Sequence, residues 1–361
     1  MSNLTKKSKM KKFLKVIMWI IILIVLIFAG FLLYITMVDY SPNQVESLTD
    51  AEQDIPLLQP DTFNLVSWNI GYAGLGAEMD FFYDDGKKVR PTKEMGRKYL
   101  DGIKQFISST DSIDFWLFQE VDFEAKRSHY NDEVKEIAAL KPESEYVFAK
   151  NYDVPFVPVP LYEPLGYVKG GMITFSEFPF AEATRYAYPL IASWPNKLFL
   201  LDRCFILTRF PLTNGKHLVV LNTHNSAYVY DSALRIKELN IIKDKMLEEY
   251  NKGNYVVAGG DWNANPPNFK PEGEYNGHRF VPSEVTMNEA VFPQDWTWAY
   301  DASAPTNRQN YKSFVKGENG TTILDYFIVS PNVELLQATS IDLEFENSDH
   351  NPVFVKVALK K

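Results

Sequence analysis

The stretch that decides the fold runs from 216 to 263: KHLVVLNTH (216–224), DSALRIKELNIIKDKMLEEYNKG (231–253) and NYVVAGGDWN (254–263). The outer pieces are short Val-rich and Leu-rich runs bounded by turn formers, which is the pattern of strands. The middle piece puts Leu239, Ile242, Met246 and Tyr250 at helical spacing, with Asp231 placed to cap its start and Gly253 its end. Both strands finish in polar residues, Asn222-Thr223-His224 and Asp261-Trp262-Asn263. Because side chains alternate along a strand, Asp261 and Asn263 at i and i+2 point to one face.

The same grammar extends in both directions. TFNLVSWN (62–69), IDFWLFQEV (113–121), ILDYFIVS (323–330) and PVFVKVAL (352–359) read as further strands. Helices are expected over about Thr92 to Ser108 and Asn131 to Leu140, so strands mix with helices in an α/β sandwich whose sheet is covered by helices. These strands too carry polar groups at their ends: Trp68-Asn69, Gln119-Glu120, Asp325, and Ser348-Asp349-His350-Asn351 before the last one. Carboxylates, amides and imidazoles delivered to one sheet edge make a cleft suited to a hard cation. The Pro-rich and aromatic stretches 152–171 and 266–309 are expected to be rim loops, with a turn at Gly170-Gly171. Arg185, Arg203 and Arg209 are candidate phosphate contacts.

Composition narrows the function classes. The chain has 361 residues, 46% hydrophobic and 23% charged, enough apolar surface for a packed body. One cysteine, Cys204, excludes an intrachain disulfide framework and a multi-cysteine zinc site and reads as a small buried filler. The net charge is −9; residues 1–40 hold six lysines and one acid, a net of +5, which leaves −14 on the rest. A body this acidic has no broad basic field for nucleic acid, so a nucleic-acid partner is not favoured. Val16 to Val38 is an uncharged run of 23 residues behind those lysines, long enough at 1.5 Å per residue to cross a bilayer core of about 30 Å. A cleaved signal peptide is the competing reading, but its apolar region is usually only about 7–15 residues and ends at small residues. The expected organisation is a basic cytoplasmic segment (1–15), a transmembrane helix (16–38), a tether (39–61) and one catalytic domain (62–361). The lysines place the N-terminus in the cytoplasm and the domain on the outer face of the cell membrane.

Taken in order, SWNI, QEVD, NTHN, GGDWNANP, LDYFIVS and SDHNPV resemble the motifs of the endonuclease/exonuclease/phosphatase superfamily, the DNase I-like fold, over roughly Thr62 to Leu359. Each fragment alone is weak; six in the expected order are specific. The resemblance implies a four-layer sandwich, two mixed β-sheets flanked by helices, and magnesium-dependent phosphoester hydrolysis. Asn225 after His224, and Trp262 between Asp261 and Asn263, depart from many relatives without removing a catalytic group.

The resemblance also assigns roles. Glu120 matches the principal metal ligand, with Asn69 beside it and Asp349 completing the site, and Mg²⁺ is the expected ion, with Mn²⁺ as a substitute. Asp261 and Asn263 orient water and contact the phosphate. His350 matches the proton-transfer residue, Asp325 the carboxylate that orients it, and His224 a second histidine serving the phosphate or the leaving group. Arg203 is a candidate substrate contact. The expected function is a membrane-anchored, metal-dependent phosphoesterase, monomeric, with a nuclease and a noncatalytic binding protein on the same fold as the alternatives.

Overall fold

The computed structural model describes residues 2–49, 55–190, 192–227, 232–271 and 286–361. Helix α1 (Ser2–Val38) is followed by strand β1 (Val45–Ser47), β2 (Thr62–Asn69), α2 (Lys93–Ser109), β3 (Phe115–Ala125), α3 (Glu133–Ala138), β4 (Glu145–Val157) and β5 (Gly166–Ser176). The second half runs β6 (Glu182–Ala187), β7 (Cys204–Pro211), β8 (His217–His224), α4 (Ser232–Asn251), β9 (Tyr255–Asp261) and β10 (Thr297–Ala299). It closes with β11 (Asn307–Arg308), β12 (Thr321–Thr322), β13 (Asp325–Val329), β14 (Val333–Ser340) and β15 (Val353–Leu359).

Two mixed sheets result, ordered β1-β6-β7-β8-β9-β13-β10 and β14-β15-β2-β3-β5-β4. Alternate side chains of each strand face the other sheet. Phe63, Leu65, Phe115 and Leu117 meet Ile206, Val220, Val257 and Phe327 in a core between the sheets. The opposite faces are covered by helices: Val66, Trp68, Trp116 and Phe118 pack under Tyr99, Leu100 and Ile103 of α2, and Val219, Leu221 and Val256 pack under Ile242 and Met246 of α4. This is the expected four-layer sandwich. Because both faces are buried, the strands read as continuous apolar runs. Thr92 caps α2, its side chain accepting from Met95 N–H at 3.2 Å. Gly253 closes α4 at a φ of +84°, which favours glycine. The expected cap Asp231 lies outside the described residues.

Among the described residues two neighbouring strand pairs are parallel, β2 with β3 and β8 with β9, one in each sheet. Each pair is joined through a helix, as parallel neighbours require. The carboxyl ends of all four strands therefore lie at the same side of their sheets.

Several expectations change. Of residues 266–309, expected as rim loop, 297–299 and 307–308 form β10 and β11, and 272–285 lie outside the described residues. Residues 152–171 are not all loop: Tyr152 to Val157 belong to β4, an edge strand, where Pro155 is tolerated because no ladder donor is needed on its free side. Gly170 and Gly171 lie inside β5 and make no turn. A Cβ on Gly171 would sit 2.1 Å from the Ala149 carbonyl oxygen, so the glycine marks close backbone approach. The segment expected as a tether is also docked in part, with Val45–Ser47 antiparallel to Thr184–Tyr186 of β6. α1 is long and apolar enough to cross a membrane and is exposed over most of its length.

Candidate active site

The two parallel pairs set the floor of the site. Asn69 stands in register with Gln119 at the ends of β2 and β3, and His224 with Asp261 at the ends of β8 and β9. Asp325 begins β13 opposite Asp261, and Asp349 and His350 arrive just before β15. Below them Gln119 Nε2 donates to Asn222 Oδ1 at 2.7 Å, and Asn222 Nδ2 donates to the carbonyls of Ile173 (3.1 Å) and Phe118 (3.3 Å), so one amide pair joins the sheets.

Glu120 sits at a β-bulge in β3 with φ +51°, a conformation that turns its carboxylate out of the ladder into the cleft. Asn69 Nδ2 donates to Glu120 Oε1 (3.4 Å) and Asp261 Oδ2 (3.1 Å), while Asn69 Oδ1 accepts from Gly71 N–H (3.0 Å). In this arrangement Asn69 fixes two carboxylates, and offering its oxygen to an ion requires the amide to turn. Asp261 is held further by Asn263, whose backbone N–H donates to Oδ1 (2.9 Å) and whose Nδ2 donates to Oδ2 (3.1 Å) and to Asn225 O (2.9 Å). His224 Nε2 lies 3.4 Å from Asp261 Oδ2 and 3.6 Å from Glu120 Oε1. Its buried Nδ1 has no partner among the described residues.

His350 Nδ1 is 2.8 Å from Asp325 Oδ2, and its Nε2 is 3.0 Å from Asn307 Nδ2 and 3.9 Å from Asp261 Oδ2. Asp349 accepts from Asn310 Nδ2 at 2.6 Å.

Electrostatics separate these groups. Burial alone would raise Glu120, but His224, Arg127, Arg203 and His350 outweigh it and hold the carboxyl below its ordinary range. Asp261 is likewise pushed up by burial and brought well down by His350, His224 and its N–H donors. Asp349 goes up, chiefly through burial. Burial would lower His350, yet Asp325 and Asp261 overcome it and raise the imidazole to about 10. His224 goes the other way, lowered by burial and by Arg203. The two histidines therefore favour opposite charge states, which suits different tasks.

Glu120, Arg203, His224, Asp261, Asn263, Asp349 and His350 all line one cleft of about 620 Å³. Asp325 is reached through His350, and Asn69 through Glu120 and Asp261. Arg203 Nη1 is buried without a partner among the described residues. Arg185 and Arg209 do not line the cleft. Arg185 donates to the carbonyls of Lys150 and Asp202, and Arg209 is held by Glu182 and Glu249. Cys204 is fully buried, and burial pushes its thiol up to about 11, as expected of a filler.

Sequence reasoning missed several cleft residues, among them Arg127, Tyr72 and Asn307. Arg127 pairs with Asp122 (2.8 Å) and lies 3.8 Å from the centre of the Tyr72 ring. Tyr72 is buried, with a hydroxyl that has no partner among the described residues. Asn307 touches His350. None carries a local pattern: Arg127 follows a bulged strand, Tyr72 has φ +43° in a tight turn, and Asn307 lies in a two-residue strand.

Comparison with known proteins agrees with the fold. No curated protein matches the chain in sequence. Among solved structures, an endonuclease/exonuclease/phosphatase from Beutenbergia cavernae DSM 12333 superposes with a TM-score of 0.56 at 17% identity, covering 83% of this chain and 72% of that one. The human Nocturnin catalytic domain with bound sulfate anion gives 0.53 at 16% identity, over 85% of this chain and 97% of that one. ANGEL2, a 2′,3′-cyclic phosphatase, gives 0.52 at 13% identity, over 86% and 99%. At these identities the likeness establishes the fold. A family model, that of the endonuclease/exonuclease/phosphatase family, matches residues 66–350, and the chain belongs to that family of phosphoester hydrolases.

Proposed function

We propose that the protein is a membrane-anchored, divalent-metal-dependent phosphoesterase. The observation that carries this reading is the convergence, in one cleft, of the carboxylates Glu120, Asp261 and Asp349 with two histidines of opposite charge preference. The residues fit an oxygen-seeking ion. Glu120 is turned into the cleft and kept ionised, Asp349 is beside it, and an all-oxygen set with room for water suits Mg²⁺ or Mn²⁺. Glu120 and Asp349, with Asn69, would hold the ion. Asp261, Asp325 and His350 also lie close enough together to offer a second set of ligand atoms. A bound divalent ion supplies positive charge beside the phosphoryl oxygens.

The side chains divide the remaining work. Asp261, low in pKa and fixed by Asn69 and Asn263, orients a water for attack on phosphorus. As the water oxygen bonds to phosphorus it gives up a proton to the Asp261 carboxylate, and the ester P–O bond opposite it breaks, its electron pair leaving with the ester oxygen. With the Asn307 amide turned so that its oxygen, not Nδ2, faces the ring, His350 carries at Nε2 a proton that it can deliver to a phosphoryl or leaving oxygen, while Asp325 fixes the ring through Nδ1. His224 and Arg203 face the phosphate.

The uncharged run at 16–38 in α1, behind six lysines, supports an anchor with the domain on the outer face. The −14 charge beyond residue 40 supports small or membrane-associated phosphoesters over long nucleic acid. The test is a substrate panel on the full chain in detergent micelles: bis(4-nitrophenyl) phosphate, phospholipid, plasmid and RNA, each with Mg²⁺ and with chelator. Turnover of the small ester or lipid, abolished by chelator, is expected. Efficient cleavage of plasmid or RNA with the others intact would establish the nuclease instead.

A further inference from the structure

The outer end of α1 is packed against the catalytic domain. The Phe31 ring stacks on Phe199 (6.2 Å, 11° between planes) and meets Phe156 edge-on (6.1 Å, 87°). Ile35 is buried, and Thr36 Oγ1 accepts from Trp194 Nε1 at 3.1 Å. The chain that follows is pinned as well: the Lys150 ammonium lies 3.8 Å from the centre of the Tyr40 ring, and Gln44 O accepts from Ala187 N–H at 2.8 Å. No slack therefore separates the helix end from the domain.

The segments that follow Phe156 and flank Phe199 expose large apolar side chains: Leu161 is 87%, Tyr162 71%, Trp194 55% and Leu200 44% accessible, with the Tyr162 hydroxyl donating to Lys87 O at 3.2 Å and Trp194 bonded to Thr36 of the helix. They come from two segments, the β4–β5 loop and the stretch before β7. The second segment has two faces, because Phe199 touches the helix while Phe199, Leu200 and Leu201 also wall the catalytic cleft. A hydrocarbon core of about 30 Å takes about 20 helical residues, so a span that begins at Val16 ends near Ile35, and Phe31 lies about 6 Å inside it. The residues that meet Phe31 are then at the depth of the outer lipid boundary. Leu, Tyr and Trp at that depth are what an interfacial surface requires.

We propose that this apolar lip is seated in the outer leaflet beside the anchor, so that the cleft opens onto the bilayer and takes a phospholipid, its hydrocarbon remaining in the membrane while the phosphoester reaches Glu120 and His350. The proposal rests on the anchored hydrolase reading and names its substrate class. The bilayer is the occupant because the lip is continuous with the spanning helix.

Two measurements on the full chain in phosphatidylcholine vesicles decide it. Cys204 is buried against Met172, so a Leu161→Cys protein can be labelled selectively with a fluorophore. Nitroxides on shallow acyl carbons are expected to quench that label at least threefold more than iodide in the water does. The reverse order would mean a lip facing water or another protein, and would overturn the proposal. This readout does not need turnover, so it stands even if the hydrolase reading fails. In the second measurement, a Leu161→Asp/Trp194→Asp variant is expected to lose at least tenfold in vesicle phospholipid hydrolysis while keeping its rate on soluble bis(4-nitrophenyl) phosphate. Unchanged lipid hydrolysis, or equal loss on both substrates, would overturn it.

Discussion

Asp325→Asn is the sharpest test of the proposed proton-transfer pair. Asp325 Oδ2 lies 2.8 Å from His350 Nδ1, and the aspartate is fully buried. An asparagine keeps an acceptor at that position and removes only the charge. A hydrogen bond to a charged group contributes about 1.5–3 kcal/mol and a neutral one about 0.5–1.5. The difference, about 1.5 kcal/mol, corresponds to roughly a tenfold loss in kcat if it is felt in the transition state. Removing the proton-transfer group itself should cost about 10²–10⁴-fold. For that comparison His350→Gln is preferable to alanine, because its amide can still donate to Asp325. Alanine would strand a buried carboxylate at a cost of about 3–5 kcal/mol and confuse stability with chemistry. The assay is kcat of the full chain in micelles on bis(4-nitrophenyl) phosphate at saturating Mg²⁺, with thermal unfolding of each variant as control. If well-folded Asp325→Asn loses as much as His350→Gln, or nothing, the ring is not oriented through this carboxylate.

Glu120→Gln keeps shape and removes charge, so turnover should fall steeply and recover in part as Mg²⁺ is titrated upward, whereas His350→Gln should show no such recovery. Glu249, paired with Arg209 and Lys252, is held at about 2 against an ordinary 4.5, which at 1.36 kcal/mol per decade makes about 3 kcal/mol of stability. The folded value is depressed, so this contribution is complete above about pH 4.5 and lost as pH falls toward 2. In urea unfolding, Glu249→Gln should trail wild type by about 3 kcal/mol at pH 7 and about 1.5 at pH 3; a constant gap would refute the linkage. Protease added to intact cells or spheroplasts should digest the domain, while protection, or a mature form beginning near residue 40, would defeat the anchor or its orientation.

The strands that build the floor were legible because both their faces are buried and their ends are polar. TFNLVSWN and the run ending at His224 show this directly. What escaped was the edge. β4 mixes proline and tyrosine into a half-exposed strand, so its composition resembles a loop, and Gly170-Gly171 looks like a turn until β3 and β4 are seen crowding β5. The site residues on strand ends were readable for the same reason the strands were. Arg127, Tyr72 and Asn307 reach the cleft through long-range packing that no spacing encodes. The long apolar N-terminal helix was readable from its length and composition, but its contact with Phe156 and Phe199 depends on residues more than a hundred positions away.

The amide pair Gln119–Asn222 has a consequence for how turnover proceeds. Glu120 and Asn69 belong to one sheet, His224, Asp261 and Asp325 to the other, and these two buried amides, 0% exposed, hold the halves together directly beneath the candidate site. Sliding one sheet over the other would leave several amide and carbonyl groups unmatched in a dry interior, at about 1–3 kcal/mol each. Such shear is therefore disfavoured, the floor is the stiffer part of the cleft, and the motion that admits and releases ligands is expected in the walls above it.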